Sequence, residues 1–227
     1  MAAAALAALA LPQHNSLETA AQLVLHLRQC GLSDNRILSA IERIPRHIFM
    51  PANLRGRAHA DRAYPIDCGQ TGLSPSTIAR IITGLQPAPK MKVLEVGCGS
   101  GYMTAVLAML SGVVVSLDRY RSLVTDAQSR LRSLGLKNVV LWHDDGIGGF
   151  EAKSPYDRIV LNGSVRRLPE GLLDQLKPYG RCVAAIGEPG GEQDLMLYVR
   201  DERNEINQRL LGKVRMIALV PGKAMAL

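Results

Sequence analysis

Apolar residues in the first third of the chain recur every three or four positions, the spacing of one face of an α-helix. Two such series are present: Ala20, Leu23 and Leu27, followed by Ile37, Ile41 and Ile44. Gly31 follows the first series and Pro45 the second, and both residue types end helices. A third helix is predicted to begin at Ser74 and Pro75, with the serine as N-cap and the proline in the first turn. A long loop over residues 46–73 separates the second and third helices.

From residue 90 onward the pattern changes to short apolar runs separated by polar segments. The runs occupy residues 93–96, 113–117, 139–142, 159–161, 182–186 and 195–199. Helical spacing returns between the second and third runs, over residues 122–134. Buried strands separated by helices are typical of a doubly wound, mostly parallel sheet. We therefore predict an α/β fold, with a helical N-terminal region and loop over residues 1–89 and an α/β domain over residues 90–227, together forming one compact unit.

Composition and charge add few constraints. The chain has 227 residues and a formal net charge of +7, but its basic residues are dispersed, so we expect a solvated basic surface and no nucleic-acid partner. The four cysteines have no CxxC spacing and the five histidines no HxxxH spacing, so we expect reduced thiols and no metal site.

We expect neither a targeting signal nor a membrane span from the sequence. The sequence does not indicate an oligomeric state. No apolar run reaches the roughly 18 residues of a membrane span. The Ala-rich start has no lysine or arginine before Arg28, unlike a secretory signal. We expect a frayed tail or short helix there, and a cytoplasmic protein.

A glycine-rich turn follows the first buried run. Residues 93–104 read VLEVGCGSGYMT, so a strand leads into Gly97, Gly99 and Gly101, and a helix follows at once. In an open α/β sheet, ligands bind beyond the carboxyl ends of the strands. Glycines let the backbone approach such a ligand, and a helix N-terminus favours an anionic group. A nicotinamide dinucleotide site requires glycine at the sixth position of the turn, where this chain has Tyr102.

Acidic residues follow the next two runs. Asp118 comes about twenty residues after the turn, where an acid accepts the hydroxyls of a ribose. Asp145, followed by Gly146, comes after the run over residues 139–142, where an acid meets an adenine amino group. Taken singly, Asp118 is also a typical helix cap and Asp145 a typical turn residue. In this order and spacing, together with the turn, they resemble the S-adenosylmethionine site of class I methyltransferases.

Stretches on both sides of the turn resemble protein L-isoaspartate O-methyltransferases. Residues 46–51 (RHIFMP), 58–61 (AHAD) and 69–75 (GQTGLSP) stand where that family has RxxFVP, AYxD and GQTISxP. Downstream, residues 145–146, 155–160, 173–177, 180–181 and 193–195 also follow the family's order. The resemblance covers roughly residues 16–219. It implies a class I fold in which a loop near residues 58–74 closes over cofactor and substrate.

The resemblance also implies an activity and a set of site residues. The cofactor is S-adenosylmethionine, the product is S-adenosylhomocysteine, and the acceptor is a carboxylate of an isoaspartyl residue in a protein or peptide. The implied cofactor-binding residues are Gln70, Thr71, Leu73, Glu95, Gly97, Cys98, Gly99, Gly101, Tyr102, Asp118, Arg119, Asp145, Gly146 and Asn162. Asp61 and Ser74 are the candidate catalytic residues, ordering the loop and contacting the acceptor.

Departures from the family's pattern lie at positions expected to face the substrate. Leu73 stands where the family has serine, and Ser74, shifted by one, is also explained as a helix N-cap. His59 replaces the tyrosine of AYxD, and residues 162–164 (NGS) replace small residues such as TAA. Two alternatives therefore stay open: a relative that methylates another peptide or a small metabolite, and a non-catalytic module that binds the cofactor. An RNA methyltransferase is disfavoured because residues 162–164 lack the prolines and aromatic residue of adenine-N6 enzymes.

Overall fold

Helices dominate the first half of the chain and strands the second. The computed structural model describes the backbone of residues 13–224 and the side chains of residues 20–224, so the Ala-rich start lies outside the described residues. The helices are α1 (Gln13–Gln29), α2 (Asn35–Arg43), α3 (Pro75–Leu85), α4 (Tyr102–Leu110) and α5 (Arg121–Ser133). The strands are β1 (Tyr64–Pro65), β2 (Thr71–Gly72), β3 (Lys92–Val96), β4 (Val113–Asp118), β5 (Val139–His143), β6 (Tyr156–Val165), β7 (Leu176–Ile186), β8 (Gln193–Arg200) and β9 (Ile206–Val214).

Seven of the strands form one sheet, in the order β5-β4-β3-β6-β7-β8-β9. The pairs from β5 to β7 are parallel, and β8 and β9 add antiparallel strands. The strand order reverses at β3, which pairs with β4 on one side and β6 on the other, so a ligand is expected beyond the carboxyl end of β3. The predicted mostly parallel α/β fold is confirmed. Strand β9 was not predicted, because it is a largely exposed edge strand without an apolar run.

The two faces of the sheet are covered differently. Side chains of all five helices form one hydrophobic core with sheet residues such as Val93 and Val114. The other face, which carries Leu94 and Leu117, is covered by residues such as Phe150 from the segments after β5 and β6. Those segments contain only 3-10 turns, at Glu151–Lys153 and Leu173–Gln175, where the strand rhythm had suggested helices.

The long loop before α3 is ordered and leads directly to the sheet edge. It contains two 3-10 turns (Arg46–Phe49 and Ala52–Arg57) and the hairpin formed by β1 and β2. Ser74 ends the loop as the predicted N-cap of α3, because its Oγ accepts a hydrogen bond of 3.3 Å from the Thr77 amide. Among the helices within residues 13–224, none combines the length and hydrophobicity needed to cross a bilayer.

Candidate active site

The glycine-rich turn joins β3 to α4 at the reversal point of the sheet. Gly97 and Gly99 have φ values of +89° and +53°, in the left-handed region that favours glycine. The amides of Gly97 and Cys98 donate to the carbonyl oxygen of Leu117 at 2.8 and 3.0 Å, which holds the turn against the end of β4. The turn therefore presents bare backbone and the first turn of α4 to the space beyond the strands.

Asp118 links this turn to the end of β4. Its carboxylate accepts hydrogen bonds of 2.9 Å from the Gly99 amide and 3.0 Å from the Tyr120 amide. Burial raises the pKa of Asp118, and the two amide donors oppose that rise. The carboxylate is thus held at the carboxyl end of the strand, in the position predicted for a group that accepts ribose hydroxyls.

Asp145 lies at the end of β5 and contacts the C-terminal segment, which we define as residues 216–224. One carboxylate oxygen of Asp145 accepts from the Ile147 amide at 3.0 Å, and the other accepts from the Gly222 amide at 2.6 Å. The segment also bonds the end of β6, where the Ser164 amide donates to Ile217 and the Leu219 amide donates back to Ser164. The C-terminal segment therefore spans the sheet edge from β6 to β5.

These elements enclose a cleft of about 1130 Å³, including its open mouth. Most of the predicted cofactor-binding residues line it: Gln70, Thr71, Leu73, Gly97, Cys98, Gly99, Tyr102, Asp118, Arg119, Asp145, Gly146 and Asn162. Residues that were not predicted to bind the cofactor also line the cleft: Arg46, Phe49, Met50, Tyr64, Ile66, Ile147 and the part of the C-terminal segment over residues 216–220. The short apolar run at residues 217–220 was the only signal for that segment.

Glu95 and Gly101 do not line the cleft. Glu95 is fully buried, and its Oε2 accepts from the hydroxyls of Thr104 and Ser116 at 2.5 and 2.7 Å. Burial raises the pKa of Glu95 to about 7. Glu95 therefore ties β3 to α4 and β4 beneath the turn. The alternation of a strand signals this, because Glu95 shares a face with Val93, which packs under the helices. Gly101 is the N-cap of α4 and places the helix behind the turn.

Asp61 and Ser74, the candidate catalytic residues, lie beside the cleft but not on its surface. Asp61 accepts a hydrogen bond of 2.8 Å from the Ser76 amide and lies 3.3 Å from His26 Nε2. Ser74 caps the same helix start, and its Oγ is 2.9 Å from Thr77 Oγ1. Both side chains fix the beginning of α3, directly after Leu73, which does line the cleft. A catalytic part for either stays a prediction.

The side chains of the cleft fit an S-adenosyl group. Asp118 and Asp145 place carboxylates at adjacent strand ends. The first turn of α4 presents backbone donors, because the first amides of a helix have no acceptor within it. The hydroxyl of Tyr102, a residue that is 6% exposed, has no hydrogen-bond partner among the described residues. Buried polar groups are normally paired, so this hydroxyl is available to a ligand. Within residues 13–224 no three His, Cys, Asp or Glu side chains converge as a metal site.

Comparison with known proteins identifies relatives over most of the chain. A family model of protein-L-isoaspartate(D-aspartate) O-methyltransferases matches residues 18–224. A protein-L-isoaspartate O-methyltransferase of Azorhizobium caulinodans is 42% identical over 204 residues, covering 90% of this chain and 94% of that protein. A solved protein-L-isoaspartate O-methyltransferase has a TM-score of 0.78 at 28% identity, covering 88% of this chain and 66% of that longer chain.

A second solved structure shares the fold. It is a Plasmodium falciparum protein described as a beta-aspartate methyltransferase, in complex with S-adenosyl-L-homocysteine. It has a TM-score of 0.74 at 23% identity and covers 88% of this chain and 97% of that chain. The chain belongs to the protein-L-isoaspartate(D-aspartate) O-methyltransferase family and is an S-adenosylmethionine-dependent methyltransferase of class I fold.

Proposed function

We propose that this chain methylates the free carboxylate of an isoaspartyl residue in a protein or peptide. The observation that carries the proposal is the shared cleft: the loop that resembles the family's substrate loop forms one wall, and the glycine-rich turn forms the other. Thr71 and Leu73 from the loop and Gly97 and Gly99 from the turn border the same space. An acceptor held by the loop therefore meets a cofactor held by the turn.

The cofactor half of the proposal assigns a contact to each end of the cofactor. When bound, S-adenosylmethionine supplies an electrophilic methyl group. Asp118 would accept the ribose hydroxyls, and Asp145, which is held by the Gly222 amide, would accept from the adenine amino group. The backbone of the turn and the N-terminus of α4 face the anionic tail. Arg119 and Asn162 complete the lining.

The acceptor half of the proposal requires alignment rather than proton transfer. A carboxylate is already ionised at pH 7, so the site needs no strong general base. Its task is to orient the acceptor and exclude water, and well-placed reactants gain on the order of 7–11 kcal/mol from such alignment. Loop residues and the C-terminal segment surround the cleft and supply this enclosure.

Leu73 sets the main difference from the family at the acceptor. A leucine side chain offers no hydrogen bond to a carboxylate, so the remaining side-chain donors on this wall are those of Tyr64, Gln70 and Thr71, beside the backbone. We propose that these donors suffice for transfer, at lower efficiency than a serine would allow. We further propose that the activity is cytoplasmic, because the four cysteines are all unpaired and free thiols persist in reducing compartments.

Methyl transfer from labelled S-adenosylmethionine to a synthetic peptide tests the proposal. The same peptide with normal aspartate is the control, and S-adenosylhomocysteine binding is measured in parallel by calorimetry. Base-labile label on the isoaspartyl peptide alone is the expected result. Cofactor binding without label on either peptide contradicts the proposal and favours another acceptor, such as a different peptide or a small carboxylic acid. A failure to bind S-adenosylhomocysteine contradicts its cofactor half.

A further inference from the structure

Arg46 is a buried cation at the base of the substrate loop. It is 5% exposed, in the first 3-10 turn after α2. Its Nη1 donates to the carbonyl oxygens of Ala58 and Ala60 at 3.1 and 2.9 Å, and its Nη2 donates to those of Arg62 and Leu73 at 2.6 and 3.2 Å. One guanidinium thus binds four backbone carbonyls spread over sixteen residues of the loop, from 58 to 73.

The charge of Arg46 is balanced without a carboxylate partner. Among the described residues, no carboxylate lies within salt-bridge distance of the guanidinium. The four carbonyl dipoles and two aromatic rings stabilise the positive charge instead. The guanidinium carbon lies 5.4 Å from the centre of the Tyr64 ring and 5.6 Å from the centre of the Tyr102 ring. Buried charges are normally paired, so this arrangement holds only while the loop keeps its conformation.

The bonded carbonyls bracket the part of the loop that forms the cleft wall. Tyr64, Ile66 and Gln70–Leu73 line the cleft, and they lie between the carbonyls of Arg62 and Leu73. The two ends of this wall are therefore joined through one side chain. The hairpin in this wall is short, because β1 and β2 pair over only two residues each. Arg46, which lies outside the hairpin, binds the carbonyls on both sides of it.

We propose that Arg46 is a positioning residue that shapes the acceptor wall of the cleft by binding the carbonyls of residues 58, 60, 62 and 73. The inference rests on the proposed function for its acceptor, because it assigns the loop wall to the isoaspartyl substrate. Arg46 acts through Tyr64 and the backbone of residues 71–73, and no contact of its own with the substrate is required.

The chemistry of the guanidinium explains why arginine fills this position. Its planar fork directs several N–H donors along fixed directions, whereas a lysine ammonium has three donors at one point. Lysine keeps the charge but is unable to reach carbonyls at both ends of the wall. Arg46→Lys therefore keeps the positive charge but loses the forked arrangement of donors. Arg46→Met loses both the charge and the donors while keeping an unbranched side chain.

The first measurement is limited trypsin digestion of the folded full chain, which needs no activity. The Arg62–Ala63 bond is exposed, and its carbonyl is the acceptor of the 2.6 Å bond from Arg46. Cleavage there requires that bond to open. We expect Arg46→Lys to be cut at this bond about tenfold faster than wild type, the effect of losing one charged hydrogen bond. Arg43→Lys, an exposed change in the last turn of α2, is the matched control and is cut at the wild-type rate.

The second measurement separates KM from kcat on the isoaspartyl peptide. A disordered wall weakens acceptor binding, so at saturating S-adenosylmethionine we expect the peptide KM of Arg46→Lys to rise about tenfold, while kcat changes less than about threefold. We expect a larger rise in the peptide KM for Arg46→Met. A merely structural residue would lower the active fraction, and with it kcat, at an unchanged KM.

The two measurements separate the positioning role of Arg46 from the proposed isoaspartyl methylation. Faster cleavage at Arg62 together with a raised peptide KM supports the positioning role. If trypsin cuts the Arg62–Ala63 bond of Arg46→Lys at the wild-type rate, the positioning role is wrong. A lower kcat with an unchanged peptide KM also contradicts it. If wild type itself fails to methylate the isoaspartyl peptide, the proposed function fails, and the trypsin result alone decides whether Arg46 holds the wall.

Discussion

The side-chain amide of Asn162 donates a hydrogen bond of 2.8 Å to the carbonyl oxygen of Gly97. This bond joins β6 to the first glycine of the turn, at the point where the strand order reverses. A neutral hydrogen bond contributes about 1 kcal/mol net, which corresponds to about fivefold in binding. Because the turn faces the cofactor, we expect Asn162→Ala to weaken S-adenosylhomocysteine binding by about that factor. Calorimetric titration checks this, and an unchanged Kd would show that the bond does not shape the turn.

The C-terminal segment is predicted to hold the cofactor cleft closed. A Cβ atom at Gly163 would lie 2.7 Å from the Leu219 side chain and 3.0 Å from the Ile217 carbonyl oxygen. Overpacking of this kind costs about 1–3 kcal/mol. Gly163→Ala should therefore displace the segment and weaken S-adenosylhomocysteine binding by about fivefold or more.

Leu219 provides the control for this change. In a Leu219→Ala background the two closest contacts are removed and only the 3.0 Å contact with the Ile217 carbonyl oxygen remains, so Gly163→Ala should have a smaller effect on Kd there than in the wild-type background. Equal effects in the two backgrounds would mean that contact with Leu219 is not the cause.

Glu95 makes stability depend on pH. Its folded-state pKa of about 7 lies above the ordinary value of 4.5, so the folded protein holds this proton more tightly than the unfolded chain. The stabilisation is complete below pH 4.5 and is lost as the pH rises through 7. A difference of this size corresponds to about 3 kcal/mol.

The matching variant is Glu95→Gln, which cannot ionise. Between pH 4 and 9 we expect the free energy of unfolding to fall by about 3 kcal/mol more in wild type than in Glu95→Gln. Urea unfolding across this range measures it. Parallel pH profiles of the two proteins would refute the assignment of the raised pKa to Glu95.

Leu73 is predicted to limit recognition of a carboxylate acceptor. Leu73→Ser returns a hydroxyl to the position where the family has one, and a hydrogen bond to a charged group contributes about 1.5–3 kcal/mol. We therefore expect kcat/KM for the isoaspartyl peptide to rise by about tenfold or more. Leu73→Ala loses the same packing against the helical core without gaining a hydroxyl, and should show no rise. Equal kinetics for the serine and alanine variants would exclude the hydroxyl as the missing element.

Local sequence patterns predict much of the sheet and of the cleft. The buried runs predicted β3 to β8, and the glycines and acids at their ends predicted the cleft, because the carboxyl ends of parallel strands meet at one edge. Ser74 as N-cap followed from its own neighbours.

Other features depend on contacts between distant segments. No local pattern indicates that Gly222 bonds Asp145, or that Arg46 reaches carbonyls as far along the chain as Leu73. Glu95 was predicted at the cofactor because of its place in the motif. Its buried bonds to Thr104 and Ser116 show that strand alternation turns it toward the helices.

A competition experiment decides whether the isoaspartyl carboxylate is the acceptor. Equal amounts of an isoaspartyl peptide and its aspartyl counterpart, distinguished by an isotopic label, are incubated with the protein and S-adenosylmethionine, and the methylated products are sequenced by tandem mass spectrometry. We expect a methyl ester on the isoaspartyl residue alone. Methylation of both peptides at equal rates, or of neither by protein that binds S-adenosylhomocysteine, would contradict it.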